Sequence, residues 1–332
     1  MSCTSSIRHW PSRRFTPFRS SIQPLTRSIG LDTRISSYRV LAASPQIPGV
    51  RHSSGATATS STSSADPTEA AHFSRLASSW WDPLGPSRLL HKMNPLRHAF
   101  IESCLEPTDS DVESPEGFSS RSYLDVGCGG GIFSESAARL TTTSRVLAVD
   151  STPSVLAVAK QHQKLDPALT RSSPSNRTRP LLYYECSTIE DLPSPTSVED
   201  QFDVVTLFEV LEHISEPAAI LEAATKHIKP GGWLILSTIA RHPLSYVTTK
   251  LFAEGLLRIV PWGTHDWSKY INPSELRGWF NSQKDASGNH QWGQVKVQGL
   301  SYVPGYGWIT IKGGENVGNF LMGTRRAMDP VS

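Results

Sequence analysis

YLDVGCGGG, residues 123–131, sets an apolar run directly against four glycines within five positions. YLDV has the character of a buried strand, and FSESAARL, which follows the glycines, reads as a helix. Glycines at such a turn let the backbone approach a ligand closely and adopt angles that a Cβ forbids. A strand, a glycine turn and a helix in this order make a nucleotide-type cradle. Dinucleotide sites carry G-x-G-x-x-G, whose third position falls here on Ile132. The pattern is instead D-x-G-x-G-x-G, with Asp125, Gly127, Gly129 and Gly131 at its marked positions.

Asp150 closes the next strand, VLAVD, roughly 20 residues beyond the loop, where a carboxylate accepts from both ribose hydroxyls. Loop and acid together indicate an adenosine-containing ligand, whereas the loop alone is also compatible with a tight turn that binds nothing. Asp125 either braces the loop or meets a cationic amino group.

Working outward, SYLDVG, RVLAVD, LLYYEC, FDVVTLF and WLILSTI read as strands, with FSESAARL, PSVLAVAKQHQ and EPAAILEAATKHI as the helices between them. That alternation predicts parallel βαβ units and a doubly wound α/β sheet, with ligands at the carboxyl ends of the strands. QVKVQGLSYV, GWITIKGG and NFLMGTRRA follow as terminal strands, the first pair as an antiparallel hairpin at the sheet's edge. Upstream, TEAAHFSRLASSWWDP reads as a helix stopped by Pro83, and SRLLHKMNPLRHAFIESCL as a second helical region broken around Asn94-Pro95.

LFEVLEHI, residues 207–214, ends a buried strand in Glu209, Glu212 and His213. Positions i, i+3 and i+4 share a face if the segment is helical. Three readings stand open: a metal site, His213 as a general base, and a solvated helix start with favourably placed acids.

Composition narrows the function classes. The chain of 332 residues is 38% hydrophobic and 19% charged, ordinary for a soluble globular protein, and no apolar run reaches the roughly 20 residues of a bilayer span. Residues 1–65 hold eight arginines against one acid, Asp32, a charge of +7; the chain totals +2, so the remainder carries −5. A basic nucleic-acid face on the folded part is therefore not indicated. An arginine- and serine-rich, acid-poor leader has the composition of an organelle transit peptide. Cys3, Cys104, Cys128 and Cys186 show neither paired spacing nor C-x-x-C, which fits a reducing compartment. The segments expected are a transit peptide at 1–53, a flexible linker at 54–68, a helical cover at 69–105, an acidic surface loop at 106–120, and the main domain at 121–328 with an insertion at 243–272.

YLDVGCGGG followed by VLAVD resembles the class I S-adenosylmethionine-dependent methyltransferases. SSWWDPLGPSRLLHKMNPLR, FDVVTLFEVLEHI, KPGGWLILSTIAR and VPWGTHDWSKYINPSEL narrow the resemblance to the mitochondrial ubiquinone-biosynthesis O-methyltransferases, from about Phe73 to about Arg326. The resemblance implies a mostly parallel, Rossmann-like sheet of seven strands under N-terminal cover helices. It implies a cofactor site on Arg97, Gly127, Asp150 and Phe208, and a divalent cation, normally magnesium, on Glu209, Glu212 and His213. The imidazole is less usual for magnesium than for zinc or iron.

A bound cation lowers the pKa of a catechol hydroxyl, roughly 10 when free, and holds both adjacent oxygens. The implied acceptor is a polyprenylated catechol. The implied setting is the matrix face of the mitochondrial inner membrane, with membership of a multiprotein biosynthetic complex. KLFAEGLLRIVPW reads equally as a membrane-interface segment and as a packed helix, and the polyprenyl tail favours the first. His265 and Asp266 are candidates for closing the site, and Trp80 and Trp81 for covering the cofactor. Methylation of another phenol, or a cofactor-binding assembly factor without turnover, are the competing readings, and substrate-dependent turnover separates all three.

Overall fold

The structure, a computed structural model, describes residues 67–106, 120–171, 181–243, 245, 269–285 and 287–328. The expected transit segment, most of the linker, the acidic loop between 107 and 119, and nearly all of the insertion, with His265 and Asp266, lie outside the described residues.

The cover is two helices, α1 (Pro67–Leu76) and α2 (Arg88–Leu105), joined through a single 3-10 turn at Ala77–Ser79. The break expected at Asn94-Pro95 is absent, and α2 runs straight through Pro95. A proline inside a helix forfeits one backbone bond. Here the face made by Met93, Arg97, Phe100, Ile101 and Cys104 is buried, and the Asn94 side chain donates to the carbonyl of Ile132 at 3.0 Å. Tertiary contacts therefore outweigh the local penalty.

The sheet consists of β1 (Arg121–Val126), β2 (Thr143–Asp150), β3 (Leu182–Cys186), β4 (Phe202–Phe208), β5 (Ile228–Ile239), β6 (Trp292–Val303), β7 (Gly307–Ile311) and β8 (Asn319–Arg326). Their spatial order is β3-β2-β1-β4-β5-β8-β6-β7. The first five pair in parallel, and β8 lies antiparallel between β5 and β6. The sheet thus has eight strands rather than seven, because the β6–β7 hairpin adds one strand at the edge. The remaining helices are α3 (Ile132–Ala138), α4 (Pro153–Gln163), α5 (Pro167–Thr170), α6 (Pro217–Lys226) and α7 (Pro273–Ser282).

Alternation along the central strands divides the core. Leu124, Val205, Leu236 and Phe320 pack with Leu221 of α6 and Phe280 of α7, while Tyr123, Val204 and Ile235 pack with Phe100 of α2 and Phe133 of α3. By the same parity Asp125 and Thr206 face the α2–α3 side. The chain moves outward from β1 to β2 and β3, then returns to β4 on the other flank of β1. The crevice beyond the carboxyl ends of β1 and β4 is therefore the topological switch point where ligands of such sheets bind.

Phe320 on β8 is fully buried. Phe320→Ala is expected to lower stability by about 3–5 kcal/mol through lost burial and a residual cavity, seen as a lower urea midpoint with the far-UV spectrum retained.

Candidate active site

Gly127, Gly129 and Gly131 hold φ of 67°, 53° and 83°, the left-handed region that a side chain disfavours. Space forbids a side chain as well. A Cβ on Gly127 would lie 2.6 Å from Val210 Cγ2, and one on Gly131 2.1 Å from the Tyr184 hydroxyl. On Gly129 and Gly130 it would fall 2.5 and 2.1 Å from the Trp80 indole. The loop is held by three backbone donors: Cys128 N–H to Val149 O at 3.0 Å, Gly131 N–H to Cys128 O at 3.0 Å, and Gly129 N–H to Asp150 Oδ2 at 2.9 Å.

Asp150 also accepts from Thr152 N–H through Oδ1 at 2.8 Å. It stands at the carboxyl end of β2, as expected, and it braces the glycine loop, a task for which Asp125 was the candidate. Burial pushes its pKa up, against the two N–H donors. Asp125 is itself buried and accepts from Ser134 Oγ at 2.5 Å and Thr206 Oγ1 at 2.8 Å, which ties β1 to α3 and β4. Burial pushes Asp125 up to about 6, opposed by those hydroxyls and by Arg97.

Arg97 is only 3% exposed. Its Nη1 donates to Asn94 Oδ1 at 3.3 Å, its guanidinium lies 4.6 Å from the centre of the Phe208 ring, and its Nη2 stands 4.0 Å from Glu209 Oε1. Its Nε is buried and has no hydrogen-bond partner among the described residues. Burial lowers its pKa, and Glu209, Asp125 and Glu212 oppose that shift. A buried guanidinium with a donor to spare, beside a cradle that a Cβ would fill, fits the carboxylate end of an adenosyl amino acid.

The end of β4 differs from the expected helical face. Glu209 adopts φ 56°, the one positive φ of a non-glycine among the described residues, and Leu211–His213 form a single 3-10 turn. A non-glycine residue held there is strained, and such strain tends to cluster at functional sites. Ser237 Oγ donates to Glu209 Oε1 at 2.6 Å, and Thr238 Oγ1 to Glu212 Oε2 at 2.9 Å. The His213 ring meets Phe73 of α1 edge-on at 5.1 Å. Burial raises the Glu212 pKa well above the usual carboxylate range; Glu209 adds to the rise and His213 opposes it.

Glu209, Glu212 and His213 thus come to one end of β4, but among the described residues no three His, Cys, Asp or Glu side chains gather as a metal-holding group. Both carboxylates turn to hydroxyls of β5 instead. In this arrangement the set does not fit the expected magnesium, and no chemical step is routed through a cation. Ser237 and Thr238, which sequence reasoning passed over, carry a faint signal: two hydroxyls inside the apolar run LILSTI. Asn94 likewise had one, three residues before Arg97 on the same helix.

The cradle, the acid after β2 and the switch-point crevice find counterparts among known proteins. Residues 97–283 match the methyltransferase-domain family. Two solved structures share the fold: the plantazolicin methyltransferase BpumL in complex with SAH, at TM-score 0.50 and 15% identity over 78% of this chain and 97% of that one, and Haemonchus contortus phosphoethanolamine N-methyltransferase 1, at TM-score 0.51 and 14% identity over 80% and 49%. The Candida albicans protein named mitochondrial ubiquinone biosynthesis O-methyltransferase is 40% identical over 291 residues, 78% of this chain and 84% of that protein. Its Saccharomyces cerevisiae namesake is 36% identical over 78% and 87%, and the Cereibacter sphaeroides ubiquinone biosynthesis O-methyltransferase 39% identical over 65% and 81%. The chain belongs to the ubiquinone biosynthesis O-methyltransferase family.

Gly130→Ala drives a methyl into the Trp80 ring without any demand for positive φ. It is expected to weaken binding of S-adenosylhomocysteine about tenfold or more in titration calorimetry. In a Trp80→Ala background the same change is expected to cost much less, so the pair is non-additive.

A folded carboxyl with a raised pKa binds its proton more tightly than the unfolded chain does. Its stabilising contribution is complete below the unfolded value and is lost as pH rises through the folded one. Asp125, Asp150 and Glu212 all act in this direction. The contribution of these three groups is therefore expected to fall as pH rises above about 4, against Asp203, His98 and His227, whose lowered pKa values act the other way, and Glu212→Gln is expected to shift the slope of stability with pH upward, as read from urea midpoints across pH 4–8.

Proposed function

We propose that the chain is an O-methyltransferase that moves the methyl group of S-adenosylmethionine to a catechol hydroxyl of polyprenyl-benzenoid intermediates in ubiquinone biosynthesis. Both O-methylations of that route are included, on the dihydroxybenzoate and on the demethylated quinol. The observation that carries the reading is Arg97, buried beside the glycine cradle with an unpaired Nε among the described residues. Family membership supplies the acceptor class.

S-adenosylmethionine supplies an electrophilic methyl on a positively charged sulfur, which departs as a neutral thioether. Asp150, half-buried after β2, would hold the ribose hydroxyls; Gly127 and Gly129 would admit the backbone approach; Arg97 would take the amino-acid carboxylate; Phe208 would close the wall beneath the guanidinium. The acceptor hydroxyl must lose its proton as the new O–C bond forms. His213, half-buried at the end of β4, receives that proton, and the Glu212 carboxylate, when ionised, favours the resulting imidazolium electrostatically.

The leader is proposed to direct the protein to the mitochondrial matrix, in keeping with relatives named mitochondrial. No helix among the described residues is long and apolar enough to cross a membrane. A peripheral position on the inner membrane, with the polyprenyl tail left in the bilayer and other biosynthetic proteins alongside, is the arrangement we infer from the acceptor's chemistry. The magnesium implied by the resemblance rests on that resemblance alone.

The test is methyl transfer by protein lacking residues 1–53 to a short-chain polyprenyl dihydroxybenzoate. Transfer that Arg97→Ala and His213→Ala each reduce at least about a hundredfold is expected, the order of a charge-assisted contact and a general base combined with positioning. Transfer lost in chelator and restored by magnesium would return the β4 trio to a metal role. No transfer to this acceptor, with S-adenosylhomocysteine still bound, would leave methylation of another phenol or a cofactor-binding assembly factor.

A further inference from the structure

Trp81 stands beside the glycine loop with its indole engaged at Nε1, on one face and at an edge. Its Nε1–H donates to the carbonyl of Gly130 at 2.9 Å. One face lies on the imidazole of His162 in α4, with ring centres 3.5 Å apart and planes 3° from parallel, and His91 of α2 meets it edge-on at 4.9 Å. The stacked imidazole is held in turn. His162 Nδ1 lies 2.9 and 3.0 Å from the two oxygens of Glu135, and a carboxylate only accepts, so Nδ1 carries the proton. Glu135 sits fully buried in the first turn of α3, where Arg139 Nη2 donates to it at 2.9 Å and its own N–H donates to Gly131 O at 2.9 Å.

These contacts close a ring through the fold. The glycine loop is bonded to the cover, the cover is stacked on α4, α4 is bonded to α3, and α3 continues directly from the loop. Each link constrains the next. The Gly130 carbonyl fixes the plane of the Gly130–Gly131 peptide, whose N–H is already committed to Cys128 O. The same short segment carries Trp80, whose ring rests on Gly129 and Gly130. The donor cradle is therefore shaped by residues about 30 and 50 positions away in sequence, none of them in the glycine motif.

We propose that Trp81 and His162, anchored by Glu135, form a clasp that positions the glycine loop and so sets affinity for the methyl donor while leaving the methyl-transfer step alone. Trp81 and His162 are positioning residues, distinct from Glu209, Glu212 and His213 at the end of β4. The inference rests on the reading that the cradle takes the adenosyl donor.

Two conservative variants test it. Trp81→Phe keeps a ring on His162 and removes the donor to Gly130. His162→Phe keeps the stack and removes the bond to Glu135. Each is expected to raise the donor KM and the Kd for S-adenosylhomocysteine about tenfold, the size of one lost hydrogen bond that orders a site. The kcat at saturating donor and the acceptor KM are expected to stay within about twofold, and the melting temperature within a few degrees.

A donor KM that stays put in both folded variants overturns the clasp. So does a fall of kcat and melting temperature accompanied by a rise of both KM values, which marks plain packing. Wild-type protein that fails to bind S-adenosylhomocysteine would sink the donor reading first, before either variant is made, and the clasp with it.

Discussion

A guanidinium that is 3% exposed inside a protein is tolerable only where the fold supplies compensation, because the desolvation of an unpaired ion costs several kcal/mol. Arg97 obtains it from three carboxyl groups on different elements: Glu209 at the end of β4, Asp125 on β1 and Glu212 in the turn beyond β4. None belongs to α2, and Asp125 lies on a different segment from Glu209 and Glu212. The burial of Arg97 therefore requires the cover helix, the central strand and the β4 turn to be in place together. Phe208 completes the arrangement by presenting its ring to the guanidinium at 4.6 Å. On the proposed reading, a cofactor carboxylate entering this pocket would meet a cation whose cost has already been met by the fold.

The same demand accounts for the unusual end of β4. A strand continuing regularly beyond Phe208 would carry Glu209 to the opposite side of the sheet from Arg97, since successive side chains alternate. The positive φ at Glu209 breaks the alternation and lets its carboxylate lie between Arg97 and Ser237. One strained residue thus gathers a charge on the guanidinium's side of the sheet. One oxygen of each carboxylate is drawn to a β5 hydroxyl, Glu209 to Ser237 and Glu212 to Thr238.

Much of this was legible beforehand. All eight strands correspond to apolar runs readable in the sequence, and Asp150 stands at the carboxyl end of β2 as its position in VLAVD implied. What escaped was whatever depended on partners distant in sequence. Pro95 was read as a break because local propensity counts the lost backbone bond but not the Asn94 anchor to Ile132, 38 residues away. Glu209, Glu212 and His213 were read at helical spacing because nothing local reports a positive φ on a glutamate. Ser237 and Thr238 lie inside the apolar run LILSTI, which does not report their acid partners 28 and 26 residues away. The added edge strand β7 departs from the family's seven, though its run GWITI was visible in the sequence.

Glycine at 127, 129 and 131 is required twice over and at 130 once, and the two requirements come from different parts of the chain. Positive φ at three of them is a property of the turn itself. Contact with Trp80, Tyr184 and Val210 is a property of what packs on the turn: an indole from the cover, a phenol from β3 and a valine from beyond β4. A loop this bare gains rigidity from its surroundings, since glycine has more backbone freedom to lose than any other residue. The cover thereby becomes part of the donor site even where it touches no donor atom. Loop, cover and β4 turn form one cooperative unit, in which Arg97 is compensated from below by β1 and β4 and the glycines are confined from above by the tryptophan pair.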